Sequence, residues 1–186
     1  VLVKKYNTTA TKGNLNNHIG VPLTLLSMTP KTEIGIVEMG ANHLKEIAFL
    51  CSIATPDFGY ITNFGKAHLE GFGSLEGVIQ GKSELYNYLQ KNNKIAFVNP
   101  NDFIQVEKTK KIETVSFNTN DVKFIEANPF VRLSFYNTQI QSNLIGKYNY
   151  TNIVAAITIG HYFKVSLDNI KKAIEAYIPT NNRSQI

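Results

Sequence analysis

The 186-residue sequence is 43% hydrophobic, carries a formal net charge of +5 and contains one cysteine, Cys51. No run approaches about 18 consecutive apolar residues and the opening residues lack a long apolar core, so we expect neither a transmembrane helix nor a secretory signal. A lone cysteine cannot form an internal disulfide, which is typical of the reducing cytoplasm. The positive charge suits anionic partners such as nucleotides, but the scattered lysines do not indicate nucleic-acid binding.

The first half of the chain alternates predicted helices and strands. Lys4–Asn17 is polar and rich in Thr, Asn and Gly, which predicts a loop without a strand of its own. The elements predicted after it are a helix from Pro22 to Met28, a strand at Glu33–Glu38, a helix at His43–Ala54, a strand at Phe58–Thr62, a helix at Ser74–Gln90 and a strand at Lys94–Asn99. This alternation is typical of βαβ units with a parallel sheet.

The second half has a different pattern. Short runs rich in β-branched and aromatic residues, separated by turn residues, predict a small antiparallel sheet near residues 112–145; the runs are IETVSF, VKFIEA, VRLSFY and TQIQSNLIG. Helices are predicted at Asn149–Phe163 and Ser166–Tyr177. We therefore expect an α/β fold, in which a mostly parallel sheet is flanked by helices and a small antiparallel sheet is inserted.

Two polar side chains follow the carboxyl ends of predicted parallel strands, where sites form in open α/β sheets. Glu38 follows one strand, and His68 lies in the glycine-punctuated loop after the next. If these strands are neighbours, the carboxylate and imidazole could hold a divalent metal. Because the hard Mg²⁺ ion prefers oxygen ligands and imidazole offers nitrogen, ligand preference alone would favour Mn²⁺ or Zn²⁺ over Mg²⁺ for such a pair. A helix-terminus charge for Glu38 and a polar loop contact for His68 explain the residues equally well.

The tripeptide Gly81-Lys82-Ser83 suggests a phosphate-binding loop, but the pattern does not fit. That loop needs a glycine five positions before Gly81, where this chain has Glu76, and it lies between a strand and a helix rather than inside a helix. From the residues alone, Lys82 is expected to be an exposed helical lysine.

Two asparagine-rich stretches open predicted helices. In NLNNHIGVP, clustered amides at a helix start could bind an anion or a sugar, although caps of local turns explain them more simply. In GKYNYTNIVAA, Asn149 and Asn152 share one helical face and could contact a purine or ribose, whereas helix capping is the simpler role for Asn149 alone.

Taken together and in this order, several segments resemble the central domain of the Mur ligases: TATKGNLNNHIGVPLTLL, VEMGANH, ITNFGKAHLEGFGS, GKSELY and GKYNYTNIVAA. The resemblance implies a central ATP-binding domain over residues 1–180, with a fold like that of phosphate-loop NTPases, and the start of a linker at 181–186. The GNLNN and EMGANH forms are similar to the member that adds D-Ala-D-Ala to UDP-N-acetylmuramoyl-tripeptide.

The resemblance also implies roles for particular residues. The implied Mg²⁺ ligands are Glu38, His68 and a carbamylated Lys82, of which His68 and Lys82 would also be catalytic. The implied nucleotide contacts are Tyr148, Asn149, Asn152 and Arg183. The implied contacts with the UDP-sugar peptide are Thr11, Asn14, Asn16 and Asn17.

The implied reaction is ATP-dependent amide-bond formation in a cytoplasmic, monomeric enzyme, through an acyl phosphate. The alternatives are a non-catalytic module that binds nucleotide or UDP-sugar peptide, and a Mur-type ligase for another amino acid. Many members have His where this chain has Tyr148, and a glycine is frequent where it has Lys45, which we expect to lie on a helix surface without consequence. The family's phosphate loop is expected just upstream of Val1, so we expect this chain to be a fragment of a longer enzyme.

Overall fold

A computed structural model of the chain describes residues 1–65 and 69–179. The chain forms two compact units. One is Asn7–Val115, and the other combines Val1–Tyr6 with the chain from Ser116 onward. We call them the larger unit and the smaller unit.

The larger unit contains short parallel strands. Strand β1 (Thr8–Ala10) pairs in parallel with β2 (Ile34–Ile36). Strand β3 (Phe58–Tyr60) pairs in parallel with β4 (Ile95–Val98), and β5 (Glu113–Ser116) follows β4 in that sheet. The predicted loop at Lys4–Asn17 is therefore wrong at β1, where β-branched threonines favour an extended chain beside Ile34–Ile36.

Five helices are described in this unit: α1 (Gly20–Leu26), α2 (Glu46–Ala54), α3 (Leu69–Phe72), α4 (Leu75–Lys91) and α5 (Phe103–Lys108). Ser74 caps α4 by accepting a hydrogen bond from the Gly77 N–H at 3.1 Å. Asp102 caps α5 in the same way, which explains a helix that the sequence did not predict. Helix α2 begins three residues after the predicted His43.

Two apolar clusters are described in the core of the larger unit. One contains Ile61, Phe64, Tyr86, Leu89, Ala96 and Val98, and the other contains Val21, Ile47, Leu50 and Cys51. Leu85 and Tyr88 of α4 pack against both clusters. Helix α4 is therefore held from two sides, which fixes the orientation of the polar side chains that it carries.

The smaller unit contains an antiparallel sheet of β6 (Val122–Ala127), β7 (Phe130–Phe135) and β8 (Thr138–Ile145). Helices α6 (Tyr148–Tyr162) and α7 (Leu167–Glu175) follow, and residues 2–4 form a short 3₁₀ helix. Burial alternates along β7, where Val131, Leu133 and Phe135 are fully buried. This alternation is the period-two pattern of a sheet with one covered face.

The predicted α/β fold is confirmed, with parallel sheets flanked by helices and a separate antiparallel sheet. One predicted strand was assigned to the wrong sheet. Residues 112–117 were predicted to join the antiparallel sheet, but β5 extends the sheet of β3 and β4. Its composition is equally suited to either sheet, so local pattern could not distinguish them. In the described part of the chain, no helix is long and apolar enough to cross a membrane.

Candidate active site

Glu38 lies two residues after the end of β2 and is exposed. Its carboxylate accepts a hydrogen bond from Asn16 Nδ2 at 2.9 Å, and its backbone N–H donates to Thr11 Oγ1 at 2.9 Å. The Gly40 N–H also donates to the Asn16 carbonyl at 2.8 Å. The predicted metal-binding carboxylate and the predicted sugar-peptide loop are thus joined in one hydrogen-bonded cluster.

The remaining asparagines of this loop have different roles. Asn17 Oδ1 accepts from the N–H groups of Ile19 and Gly20, at 3.1 and 3.0 Å, and so caps the start of α1. This is the local capping that the residues alone favoured. Asn14 is exposed, and its carbonyl accepts from the Asn16 N–H at 2.8 Å. Asn16 is therefore the loop amide that reaches the Glu38 carboxylate.

Lys82 lies on α4 and is half-buried, not an exposed helical lysine. Its Nζ donates to the carbonyl of Asn63, in the loop that follows β3, at 2.7 Å. Burial lowers the pKa of Lys82 below that of a free lysine. The side chain is thus turned toward the loop in which His68 was predicted to act.

His68 itself lies outside the described residues, and so does Arg183. The metal prediction assumed that β2 and β3 are neighbouring strands. In the described pairings, β2 pairs with β1 and β3 pairs with β4, so this assumption is not supported. Within residues 1–65 and 69–179, no three His, Cys, Asp or Glu side chains group in a way that could hold a metal ion. The metal site of Glu38, His68 and Lys82 stays a prediction.

Two carboxylates that the sequence did not single out lie at the start of α2. Glu84 of α4 accepts from the N–H groups of Lys45 and Ala48, at 2.6 and 2.9 Å. Glu46 accepts hydrogen bonds from the N–H groups of Asn42 and His43, at 2.6 and 3.1 Å. These backbone bonds lower the pKa of the Glu46 carboxyl group, and the bond from Asn42 has the largest effect. The signal for Glu46 was available, because an acidic residue in a first helical turn is a common cap.

The predicted nucleotide residues in the smaller unit lie at the start of α6. Asn149 is buried: its Nδ2 donates to the Ile145 carbonyl at 2.9 Å, and its Oδ1 accepts from Asn152 Nδ2 at 3.0 Å. Asn152 and Tyr148 are both exposed. Asn149 therefore orients Asn152, and the two exposed side chains are the ones that a ligand can reach.

The sequence profile of the Mur ligase middle domain matches residues 1–160. The chain belongs to the Mur ligase family. It is 36% identical over 182 residues to UDP-N-acetylmuramoyl-tripeptide–D-alanyl-D-alanine ligase of Escherichia coli K12, covering 90% of this chain and 40% of that protein.

Solved Mur ligase structures are similar to it throughout. The crystal structure of MurF from Acinetobacter baumannii matches with a TM-score of 0.83 at 31% identity, over 96% of this chain and 42% of that one. MurF ligase from Thermotoga maritima in complex with ADP matches with a TM-score of 0.77 at 26% identity, over 96% of this chain and 44% of that one. This Mur ligase chain thus spans about two fifths of the length of these relatives.

Within this Mur ligase domain, one departure from the family pattern was interpreted wrongly. Lys45 was expected on a helix surface, but it precedes α2 with a φ of +72°. Left-handed backbone costs an ordinary residue roughly 1 kcal/mol, whereas glycine adopts it freely. This explains why a glycine suits the position, and the bond from the Lys45 N–H to Glu84 helps to hold the strained conformation here.

Proposed function

We propose that the intact protein is an ATP-dependent ligase that joins D-Ala-D-Ala to UDP-N-acetylmuramoyl-tripeptide in the cytoplasm, during synthesis of the peptidoglycan precursor. Membership of the Mur ligase family and the names of the similar relatives support this proposal. The observation that carries it is the position of Lys82. A half-buried lysine with a lowered pKa, turned toward a glycine-rich loop, suits a site of phosphate and carboxylate chemistry.

The proposed reaction has two steps. A carboxylate oxygen of the tripeptide attacks the γ-phosphorus of ATP, so that an acyl phosphate forms and ADP leaves. The amine of D-Ala-D-Ala then attacks the acyl carbon, loses a proton and displaces phosphate, which forms the amide bond. Both transition states concentrate negative charge on oxygen, and Mg²⁺, when bound, supplies positive charge beside those oxygens.

Two of the three proposed Mg²⁺ ligands would supply oxygen donors, which this ion prefers. Glu38 presents an exposed carboxylate whose orientation is set by Asn16. Lys82 supplies a second anionic oxygen group if its neutral amine attacks CO₂, which forms an N–C bond and releases a proton. The lowered pKa enriches that neutral amine, and Mg²⁺ prefers such hard oxygen ligands. His68 would be the third ligand of the same ion.

The substrates are assigned to the two asparagine-rich segments. Tyr148 is exposed and suited to stack on a nucleoside, with Asn152 beside it to hydrogen-bond the base or ribose. Arg183 would act with them on the nucleotide. Around Glu38, the amides of Asn14 and Asn16 and the Thr11 hydroxyl are the polar groups proposed to orient the UDP-sugar peptide.

The test is formation of ADP and phosphate by the full-length protein. Release of ADP and phosphate should require UDP-N-acetylmuramoyl-tripeptide and D-Ala-D-Ala together. The peptide-extended nucleotide should accumulate in an amount equal to that of the ADP. Binding of nucleotide without turnover would instead support a non-catalytic module. Turnover with a different amino acid in place of D-Ala-D-Ala would assign the protein to another Mur-type reaction.

A further inference from the structure

Helix α3 packs against the backbone that follows β2 at a distance that only glycine allows. A Cβ atom placed on Gly71 would lie 2.2 Å from the carbonyl oxygen of Asn42 and 3.3 Å from His43 Nε2. The first of these atoms is main chain and cannot rotate away. Gly71 thus brings α3 into direct backbone contact with the turn that begins α2.

The other side of α3 packs against α4 in a similar way. A Cβ atom on Gly77 would lie 2.1 Å from the carbonyl oxygen of Phe72, and one on Gly81 would lie 2.4 Å from the Phe72 ring. Phe72 is buried, with 8% of its surface exposed. Gly71 and Phe72 of α3 therefore lie between the turn at Asn42 and the face of α4 that contains Gly77 and Gly81.

Glu84 completes a closed ring of contacts. From α4 it accepts hydrogen bonds from the N–H groups of Lys45 and Ala48, at 2.6 and 2.9 Å. The turn at 42–48 is thus linked to α4 twice, once through Glu84 and once through α3. Two separate attachments restrict the movement of the turn relative to α4 more than either attachment alone would.

The ring adjoins the residues assigned to the reaction. Lys82 directly follows Gly81 and reaches Asn63, and Glu38 lies four residues before Asn42. We propose that α3 is a spacer that sets the separation of Glu38 and Lys82, with Gly71 and Phe72 as positioning residues. This inference rests on the proposed ligase function and extends it to residues with no part in the chemistry.

The test substitutes Gly71→Ala in the full-length protein. The added methyl must displace the Asn42 carbonyl, so we expect kcat to fall at least tenfold while the KM for ATP stays within threefold. Hydrogen exchange of the backbone amides at 42–48 should become faster, and this readout is independent of turnover. Gly81→Ala should lose less of its kcat than Gly71→Ala, because the added methyl meets the side chain of Phe72 and not a main-chain atom.

Gly160→Ala is the matched control. It also adds a methyl inside a helix, 2.4 Å from a side-chain atom of Val1, but in the smaller unit. Its kcat should stay within twofold of wild type. An unchanged kcat in Gly71→Ala would overturn the spacer role and leave the ligase function standing, whereas an inactive wild type would overturn the function itself.

If Gly71→Ala does not fold, Phe72→Leu decides the question. Leucine keeps the backbone contacts and most of the apolar volume, but it removes the ring from Gly81. The spacer role predicts at least a threefold loss of kcat without a change in the KM for ATP. A kcat equal to that of wild type would overturn it.

Discussion

At the scale of single residues, Lys82 and Glu38 differ in what holds them. The Lys82 ammonium is hydrogen-bonded to a backbone carbonyl and half-buried, whereas the Glu38 carboxylate is exposed and bonded to one amide. An amine with a lowered pKa is more often neutral and hence more nucleophilic. The two side chains thus differ in burial and in hydrogen bonding, although both are proposed ligands of the same ion.

We expect Lys82→Ala to inactivate the full-length enzyme, because the proposed carbamate oxygens are lost. A short carboxylic acid such as acetate should partly restore activity by filling the vacated ligand position. The assay is ADP release with and without acetate. Lys91→Ala, at an exposed position in the last turn of the same helix, is the control and should keep its activity. Full activity of Lys82→Ala without acetate would exclude the carbamate role.

Glu38→Gln separates charge from hydrogen bonding. The amide oxygen of glutamine can still accept from Asn16 Nδ2, so the loop should keep its conformation while the negative charge is lost. If Glu38 binds Mg²⁺, turnover should fall more than tenfold and the half-saturating Mg²⁺ concentration should rise. His68→Ala should show the same pattern. Near-normal turnover in both variants, accompanied by lower melting temperatures, would indicate structural roles only.

At the scale of elements, α2 and α4 are joined by the Glu84 carboxylate as well as by apolar contacts. Glu84→Ala removes the acceptor for two backbone N–H groups, one of them on the strained Lys45. We expect the free energy of unfolding to fall by about 1 to 3 kcal/mol. Urea denaturation measures it, with Glu76→Ala, an exposed residue of the same helix, as the control. A loss no greater than that of the control would show that the bonds contribute little.

The two asparagines at the start of α6 should respond differently to substitution. Asn149→Ala leaves the Ile145 carbonyl without its donor inside the fold, so stability should fall by about 1 to 3 kcal/mol. Asn152→Ala should raise the KM for ATP several-fold and lower stability less than Asn149→Ala does, because it removes only the donor to Asn149 Oδ1. Asn143→Ala, which removes an amide bonded to the Glu175 carbonyl, should affect stability alone. An unaltered KM in Asn152→Ala would remove it from the nucleotide site.

The type and order of most elements could be predicted, because apolar periodicity records which face is buried. The elements that the sequence did not predict were short. The threonines of β1 resemble a polar loop until β2 lies beside them, and α5 depends on its Asp102 cap more than on any periodic pattern. The late start of α2 follows from the left-handed backbone of Lys45, which no local pattern indicates.

At the scale of the whole molecule, the sequence could identify candidate site residues but not their partners. Asn16 and Glu38 are 22 positions apart, and Glu84 bonds to Lys45 across 39 positions. Such pairs are set by how helices and strands pack, which composition does not encode. For the same reason the division of the chain into two units, with β5 leaving the predicted antiparallel sheet, was not foreseen.

Alkaline pH should destabilise the fold through Cys51. Burial raises the pKa of this thiol from 9.0 to about 12, so the folded state keeps a proton that the unfolded state loses above pH 9. Stability contributed in this way is present below pH 9 and declines above it, by about 1 kcal/mol between pH 9 and about pH 10. Urea denaturation at both pH values measures the loss.

Cys51→Ala is the control for this prediction, since it removes the titrating thiol while the other alkaline groups stay. The variant should be less stable at pH 9 because a buried sulfur is lost, yet its stability should change less between the two pH values. Equal pH dependence in the two proteins would contradict a titrating Cys51. The pKa of Tyr60 is also raised by burial, to about 12 from 10.0, so its contribution begins at higher pH.

The carboxylates of Glu46 and Glu84 have an electrostatic consequence beyond the bonds that they make. The amino end of a helix carries partial positive charge and attracts phosphate groups. At α2 two carboxylates of the chain itself already accept the N–H groups of this helix end, which makes it a poorer binding site for the phosphates of the proposed substrates than an uncapped helix end.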